Sequence, residues 1–286
     1  MNKKWVHKKY VYWETSEFHN YSFVFSWYLW EWLQSIQLEL DGKPIKIGGP
    51  AVIINAEWIP DWIRIDIEEE KVLARHNSDA TRTTIGCIRG CQFCAVPEIE
   101  GKFRELQNYE IKPILIDNNL LASSRKHFDK VIDNFKKLEW CDFNQGLDIR
   151  LLNKHHAERF AELKEPLIRL AWDNINDEEK FLRAYEILAK AGIPNKNIQI
   201  YVLIGFEDTP EDALYRLKKI DELGILPNPM RFQPIRCKKK NGYVGDNWTD
   251  KELKRYMRYW SRIIFFKRIK GIEFKEFDIR EDSPTR

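Results

Sequence analysis

Ile198-Gln199-Ile200-Tyr201-Val202-Leu203-Ile204-Gly205-Phe206-Glu207-Asp208-Thr209-Pro210-Glu211-Asp212 is the stretch from which the fold can be read. An apolar, β-branched run ends at a glycine and two acids, and a Thr-Pro-Glu-Asp step follows. The threonine hydroxyl can cap a helix, proline suits the first turn, and two carboxylates sit at the positive end of the helix dipole. This is a strand that feeds a helix.

Similar units recur on both sides. Thr83-Thr84-Ile85-Gly86 leads into a cysteine-rich loop, and Pro113-Ile114-Leu115-Ile116 ends in Asp117-Asn118-Asn119. Residues 140–143 end in Asn144-Gln145-Gly146-Leu147-Asp148, residues 167–172 in Asp173-Asn174, and residues 230–235 at Arg236. Several runs are continuous rather than alternating, the pattern of parallel strands covered on both faces. Between them the spacing turns helical, with Phe128, Val131, Ile132, Phe135 and Leu138 in one segment and Phe181, Ala184, Tyr185, Leu188 and Ala189 in another. Ser123 or Ser124 opens one helix, and Gly192 and Gly224 close two. Six strands alternating with helices predict an α/β fold, a (βα)6 partial barrel of parallel strands with ligands at the C-terminal ends of the strands. The expected limits are 1–78 for a small α/β N-terminal extension, 79–246 for the barrel, and 247–286 for a C-terminal helix and tail.

Cys87-Ile88-Arg89-Gly90-Cys91-Gln92-Phe93-Cys94 places three thiols on one loop loosened by Gly86 and Gly90. Such spacing points to three ligands for one soft-metal centre. The chain has five cysteines, an odd number, and the other two, Cys141 and Cys237, read as a small apolar filler and a thiol in a basic loop. A secreted disulfide framework does not fit, and a reduced, cytoplasmic setting is expected. Zinc would want a fourth protein ligand, commonly from a second pair, and none stands at suitable spacing. A [4Fe–4S] cluster on three cysteines leaves one iron open to an outside chelator. His127, His155 and His156 fall in or at the start of expected helices and are not read as ligands.

With Phe93 before its last cysteine, the C-x3-C-x2-C motif resembles the cluster motif of radical S-adenosylmethionine (SAM) enzymes. The resemblance implies a [4Fe–4S] cluster on Cys87, Cys91 and Cys94. It also implies SAM on the open iron and a 5′-deoxyadenosyl radical that abstracts hydrogen from a substrate. Asp117, Asn118 and Asn119 resemble the second-strand step that binds the SAM amino group, although the family often has Gly-Gly-Glu there; a capping cluster for the next helix is the plainer reading. Gln145, Asp148, Arg150 and Asp173 stand where the family contacts the ribose or the methionine carboxylate, with a simple Asp148–Arg150 pair as the alternative. Gly205 and Glu207 belong to a segment that resembles the adenine-lining fifth strand, and Gln233 in the sixth run completes the set. A flavodoxin or ferredoxin type of electron donor is implied.

Ahead of the barrel, residues 21–25, 27–38 and 45–50 read as strand, aromatic helix and strand, the last ending in Gly48-Gly49-Pro50. This β–α–β fragment resembles the final part of the cobalamin-binding domain of one radical SAM subclass. It lacks the Asp-x-His-x-x-Gly motif, since His19 has no downstream glycine in register, so cobalamin is not expected. Trp27, Trp30 and Trp32 do not share one narrow stripe, so some should be exposed or at an interface.

Thr249 and Glu252 form a capping box for a C-terminal helix whose stripe is Leu253, Tyr256, Met257, Trp260, Ile263 and Ile264. Its basic residues read as a solvated face, because 47 Lys and Arg against 44 Asp and Glu leave a net charge of only +3. Arg236-Cys237-Lys238-Lys239-Lys240 carries more weight, as a candidate contact for an anionic or phosphorylated substrate. No signal peptide or membrane span is read, and residues 281–286 read as a frayed tail. Two further readings stay open: a non-catalytic zinc or nucleic-acid binding protein, and a cobalamin-dependent methyl transferase.

Overall fold

The computed structural model describes residues 9–36, 42–66 and 72–279; the expected tail and the end of the aromatic helix lie outside them. The chain is mixed α/β with parallel strands. It divides into two compact units, residues 1–114 with 233–243 and residues 115–232 with 244–286.

In the first unit, β1 (Val11–Glu14), β2 (His19–Ser22), α1 (Ser26–Ser35), β3 (Ile45–Gly48), α2 (Pro50–Ile54) and β4 (Arg64–Ile65) build a four-stranded sheet in the order β1-β2-β3-β4. β2 and β3 run parallel on either side of α1 in sequence, the expected β–α–β fragment. Its first strand starts two residues early and ends at Ser22, short of the expected Phe25, which serves instead as the extended N-cap of α1. Phe23, Leu29, Trp32, Ile47 and Val52 form the core of this unit. Gly49, at φ +97°, lets α2 start against Phe23, whose carbonyl oxygen would lie 2.6 Å from any Cβ added there. Of the three tryptophans Trp32 is buried, while Trp27 stacks on Phe25 and Trp30 meets Trp58 edge-on.

The chain continues through α3 (Val72–His76), β5 (Ala80–Thr81), β6 (Thr84–Ile85), α4 (Val96–Glu100), β7 (Arg104–Glu105) and β8 (Ile114–Leu115). The first strand of the main sheet was expected at 83–86, but Ala80–Thr81 holds that place, with Ile114 N–H donating to Asp79 O at 3.0 Å. Residues Thr84 and Ile85 instead pair antiparallel with Glu105 and Arg104, and this local ribbon takes the backbone groups a sheet strand would need.

The second unit holds α5 (Arg125–Phe135), β9 (Cys141–Asp148), α6 (Lys154–Ala161), β10 (Pro166–Ala171), α7 (Glu178–Lys190), β11 (Ile198–Ile204), α8 (Pro210–Glu222), β12 (Leu226–Arg231) and α9 (Asp250–Trp260). The main sheet is open, in the order β12-β11-β10-β9-β8-β5, and β9 to β12 are paired in parallel. Ser124 caps α5, Thr209 and Asp212 form a capping box on α8, and Thr249 and Glu252 another on α9. Gly192 and Gly224, both at positive φ, close α7 and α8.

Three differences from the expected strands have physical causes. β9 runs through the polar step 144–148, because two extra residues bulge between the pairs Phe143↔Ile168 and Leu147↔Leu170. β12 lies four residues earlier than the expected run. Its Pro227 and Pro229 argue against a central strand but are tolerated at the sheet edge, where no neighbour needs their missing N–H. Burial also alternates along β10 and β11, so the sheet is not covered equally on both faces. Ile168, Leu170, Ile200, Val202 and Ile204 are fully buried on one face, where helices pack and Phe143 meets Phe135 and Phe160. Arg169, Gln199 and Tyr201 lie half-buried on the other. After α9 a π-helical turn, Ile264–Ile269, follows; Tyr259 joins the core of this segment, and Ile264, expected on the buried stripe, is 48% exposed.

Candidate metal centre and cofactor-contact residues

The cysteine loop is an excursion closed at its neck. The β6–β7 pairs and the bond from Leu106 N–H to Thr83 O, 2.8 Å, hold its two ends together. Gly86 turns into the loop at φ +79°, and a Cβ there would stand 2.6 Å from Lys102 O. Its N–H donates to Glu100 Oε2 at 2.7 Å, and the other oxygen of Glu100 pairs with Arg82 at 3.0 Å. Glu100, which the sequence reading passed over, therefore ties the end of α4 to the entry of the loop. Within the loop Cys94 N–H donates to Cys91 O, and Arg89 N–H to Cys87 Sγ at 3.4 Å.

Cys87, Cys91, Cys94 and Phe93 are all half-buried, whereas Ile88 at the crest is 52% exposed and Gly90 faces open space. Among the described residues no group of three or more His, Cys, Asp or Glu side chains is gathered as a metal site. The three thiols share one tethered loop. Their donor chemistry fits a soft metal or an iron–sulfur cluster.

The 233–243 segment belongs to the same unit. Arg236 pairs with Glu98 of α4 and Glu57, and Lys238 Nζ stands 3.8 Å over the Trp30 ring, so two of the cations expected to meet substrate are already engaged. Gln233 lies beyond β12 rather than in a strand, and its Oε1 accepts Asn241 N–H at 2.9 Å. Cys237 Sγ donates to Lys239 O at 2.8 Å.

In the second unit Asp117 and Asn119 are buried and Asn118 half-buried; Ser124, not this cluster, caps α5. Gln145 is half-buried within β9. Asp148 and Arg150 form the simple pair, with Nε 2.6 Å from Oδ1 and Nη2 3.2 Å from Oδ2, so the arginine fork is directed at Asp148. Asp148 is buried, so this is no surface pair. Asp173 Oδ1 accepts Leu203 N–H at 3.2 Å, and burial pushes its carboxyl up to about 6. Gly205 is at φ +81°, with Leu253 Cδ2 only 2.7 Å from where a Cβ would lie, and Glu207 is exposed.

The residue that organises these strand ends is Arg216, a fully buried side chain of α8. Its guanidinium donates to Trp172 O at 3.0 Å, Asp173 O at 2.9 Å, Leu203 O at 3.0 Å and Asp208 Oδ2 at 2.6 Å. Asp208 Oδ1 in turn accepts Gly205 N–H at 2.8 Å and Trp248 Nε1–H at 3.1 Å. Asp208, next to the Glu207 that the sequence singled out, is thus the acid that shapes the turn. A second network, on the half-open sheet face, joins Asp142 to Arg169 by two 2.7 Å bonds, Arg169 to Tyr201 at 3.1 Å, and Tyr201 to Asn144 O at 2.9 Å. An arginine in the apolar phase of α8, with Ala213, Leu217 and Ile220, was the signal available for the first network; polar residues interrupting strand runs were the signal for the second.

No family model matches the chain, and no curated protein matches it. Among the described residues no helix is long and apolar enough to cross a membrane.

Proposed function

We propose that this chain is a radical SAM enzyme with a [4Fe–4S] cluster on Cys87, Cys91 and Cys94 and a (βα)6-type partial barrel around residues 79–246. The observation that carries the reading is the C-x3-C-x2-C loop itself, three soft donors on an excursion whose neck is closed by β6, β7 and Glu100. When bound, such a cluster supplies the electron that cleaves SAM to methionine and a 5′-deoxyadenosyl radical. Asp117, Asn118 and Asn119 offer oxygen acceptors for an ammonium group. Asp173 and Gly205, which follow β10 and β11 and are bonded to Arg216 and Asp208, are the ribose and adenine contacts in this reading. Arg150 can take a carboxylate once its fork turns from Asp148. A small flavodoxin or ferredoxin is the proposed electron donor. Cobalamin has no place in this reading, since His19 is buried with Nδ1 2.8 Å from Tyr12 Oη.

The test is anaerobic. The protein is reconstituted with iron and sulfide, metal content is measured, and 5′-deoxyadenosine is quantified after SAM and dithionite for wild type and Cys91→Ala. Iron near four per chain and 5′-deoxyadenosine that vanishes in the variant are expected. Zinc in place of iron would end the enzyme reading in favour of a zinc protein.

A further inference from the structure

We propose that the π-helical turn Ile264–Ile269 is a contact for an anionic membrane surface. It stands apart from the cysteine loop, and every residue involved belongs to the second unit. Had α9 continued with α spacing, Ile264 would be buried in one stripe with Leu253, Tyr256, Trp260 and Ile263. Instead Lys270 N–H donates to Phe265 O, five residues back, at 3.0 Å, the bond of a π-helix. Residues five apart then stand one above the other, which at 3.6 residues per turn they do not. Ile264 and Ile269 therefore share a face, with Phe265 beside them. Ile264, Ile269 and Phe265 are 48%, 68% and 36% exposed, while Ile263 and Phe266 on the other side are buried. Such a turn inside a helix is uncommon and often marks a functional site.

Charge decides what this apolar face meets. Residues 261–272 hold four cations, Arg262, Lys267, Arg268 and Lys270, and no acid, although the whole chain is nearly balanced at +3. Lys267 meets Asp221 at 2.6 Å and Glu273 at 4.0 Å, and Arg268 reaches Asp221 only at 3.6 Å with its side chain half exposed. Arg262 and Lys270 are exposed and form no ion pair among the described residues. Lys270 Nζ stands 5.8 Å over the Phe265 ring, which puts its ammonium at the edge of the apolar face, as in a snorkelling lysine. An anionic leaflet matches both halves, with an acyl boundary for the isoleucines and phenyl ring and headgroup charge for the cations. One turn is too short for a helix-binding groove, which reads anchors at i, i+3 or i+4 and i+7. Three side chains also fall far short of the roughly 800 Å² per partner of a standard protein interface, and one exposed aromatic ring is no stacking platform for nucleic-acid bases. Six residues cannot span a bilayer, so the contact is with its surface alone.

The full chain is sedimented with sucrose-loaded vesicles, one set of phosphatidylcholine and one of equal parts phosphatidylcholine and phosphatidylserine. Saturable co-sedimentation with the second set, weakening as salt rises, is expected. Ile264→Ser with Ile269→Ser should lower the vesicle affinity about tenfold or more. Arg262→Glu with Lys270→Glu should lower it about fivefold or more. All four side chains are exposed, so the thermal midpoint of both variants should match wild type. No co-sedimentation, equal binding to the two vesicle sets, or wild-type affinity in the isoleucine variant would overturn the contact. A dimer in sedimentation velocity that the isoleucine variant abolishes, without vesicle binding, would overturn it in favour of a second copy of the chain.

Discussion

Arg216 shows how one side chain can set the geometry of several strand ends. Its guanidinium donates to carbonyls from two neighbouring chain segments and to a half-buried carboxylate, so the turn after β11 and the step after β10 share one anchor. Removing it leaves the half-buried Asp208 without its cation and three carbonyls without that donor. Arg216→Met should therefore cost about 3–5 kcal/mol, read as a lowered urea midpoint. Arg216→Lys should recover only part of this, because an ammonium cannot reproduce the planar fork. A loss of under about 1 kcal/mol for the methionine variant would mean that the network is dispensable. Single residues were the least legible scale in the sequence. The three thiols were visible because their chemistry and spacing are unusual, whereas Arg216 and Glu100 act through partners distant in the chain or hidden by the turn between them.

At the scale of elements, the sequence reported helices faithfully and short strands poorly. Caps are local: Ser124, Thr209 and Thr249 each bond an amide three residues on, so pattern and outcome coincide. β12 was misplaced because the meaning of Pro227 and Pro229 depends on lying at a sheet edge, which no window of sequence contains. The β6–β7 ribbon was missed for a similar reason, as two-residue strands carry no periodicity and are defined by a partner 20 residues away. That ribbon gives the element-scale prediction. Gly86→Ala places a Cβ against Lys102 backbone at a positive φ, so the neck must open. We expect a loss of about 1–3 kcal/mol, together with iron retention after reconstitution below that of wild type. Gly90→Ala, where the added Cβ meets open space, should keep wild-type iron content. Equal iron in all three proteins would separate the neck geometry from metal binding.

For the molecule as a whole, α/β class and parallel pairing were legible because they follow from alternation along the chain, while the division into two units depends on where 233–243 returns. Whole-molecule stability also follows opposing titrations that no segment shows alone. The Asp173 carboxyl is raised from 3.8 to about 6 and Asp208 is raised as well, both chiefly by burial. His156 is lowered from 6.5 to about 4 and His76 is lowered too, again by burial. Between pH 4 and 6 folded Asp173 holds a proton that the unfolded chain has released, so its contribution to stability falls as pH rises. In the same window folded His156 is neutral while the unfolded chain is protonated, so its contribution rises with pH. The two slopes oppose each other, and wild-type stability should change little from these groups. Asp173→Asn keeps an acceptor for Leu203 N–H but removes the falling slope. Its urea midpoint should match wild type near pH 4 and climb above it toward pH 6, by about 3 kcal/mol at most for the shift of Asp173. The comparison is direct, because the remaining groups titrate alike in both proteins and cancel from the difference. A difference between the two proteins that stays constant from pH 4 to 7 would show that Asp173 ionises in the folded state as it does in the open chain.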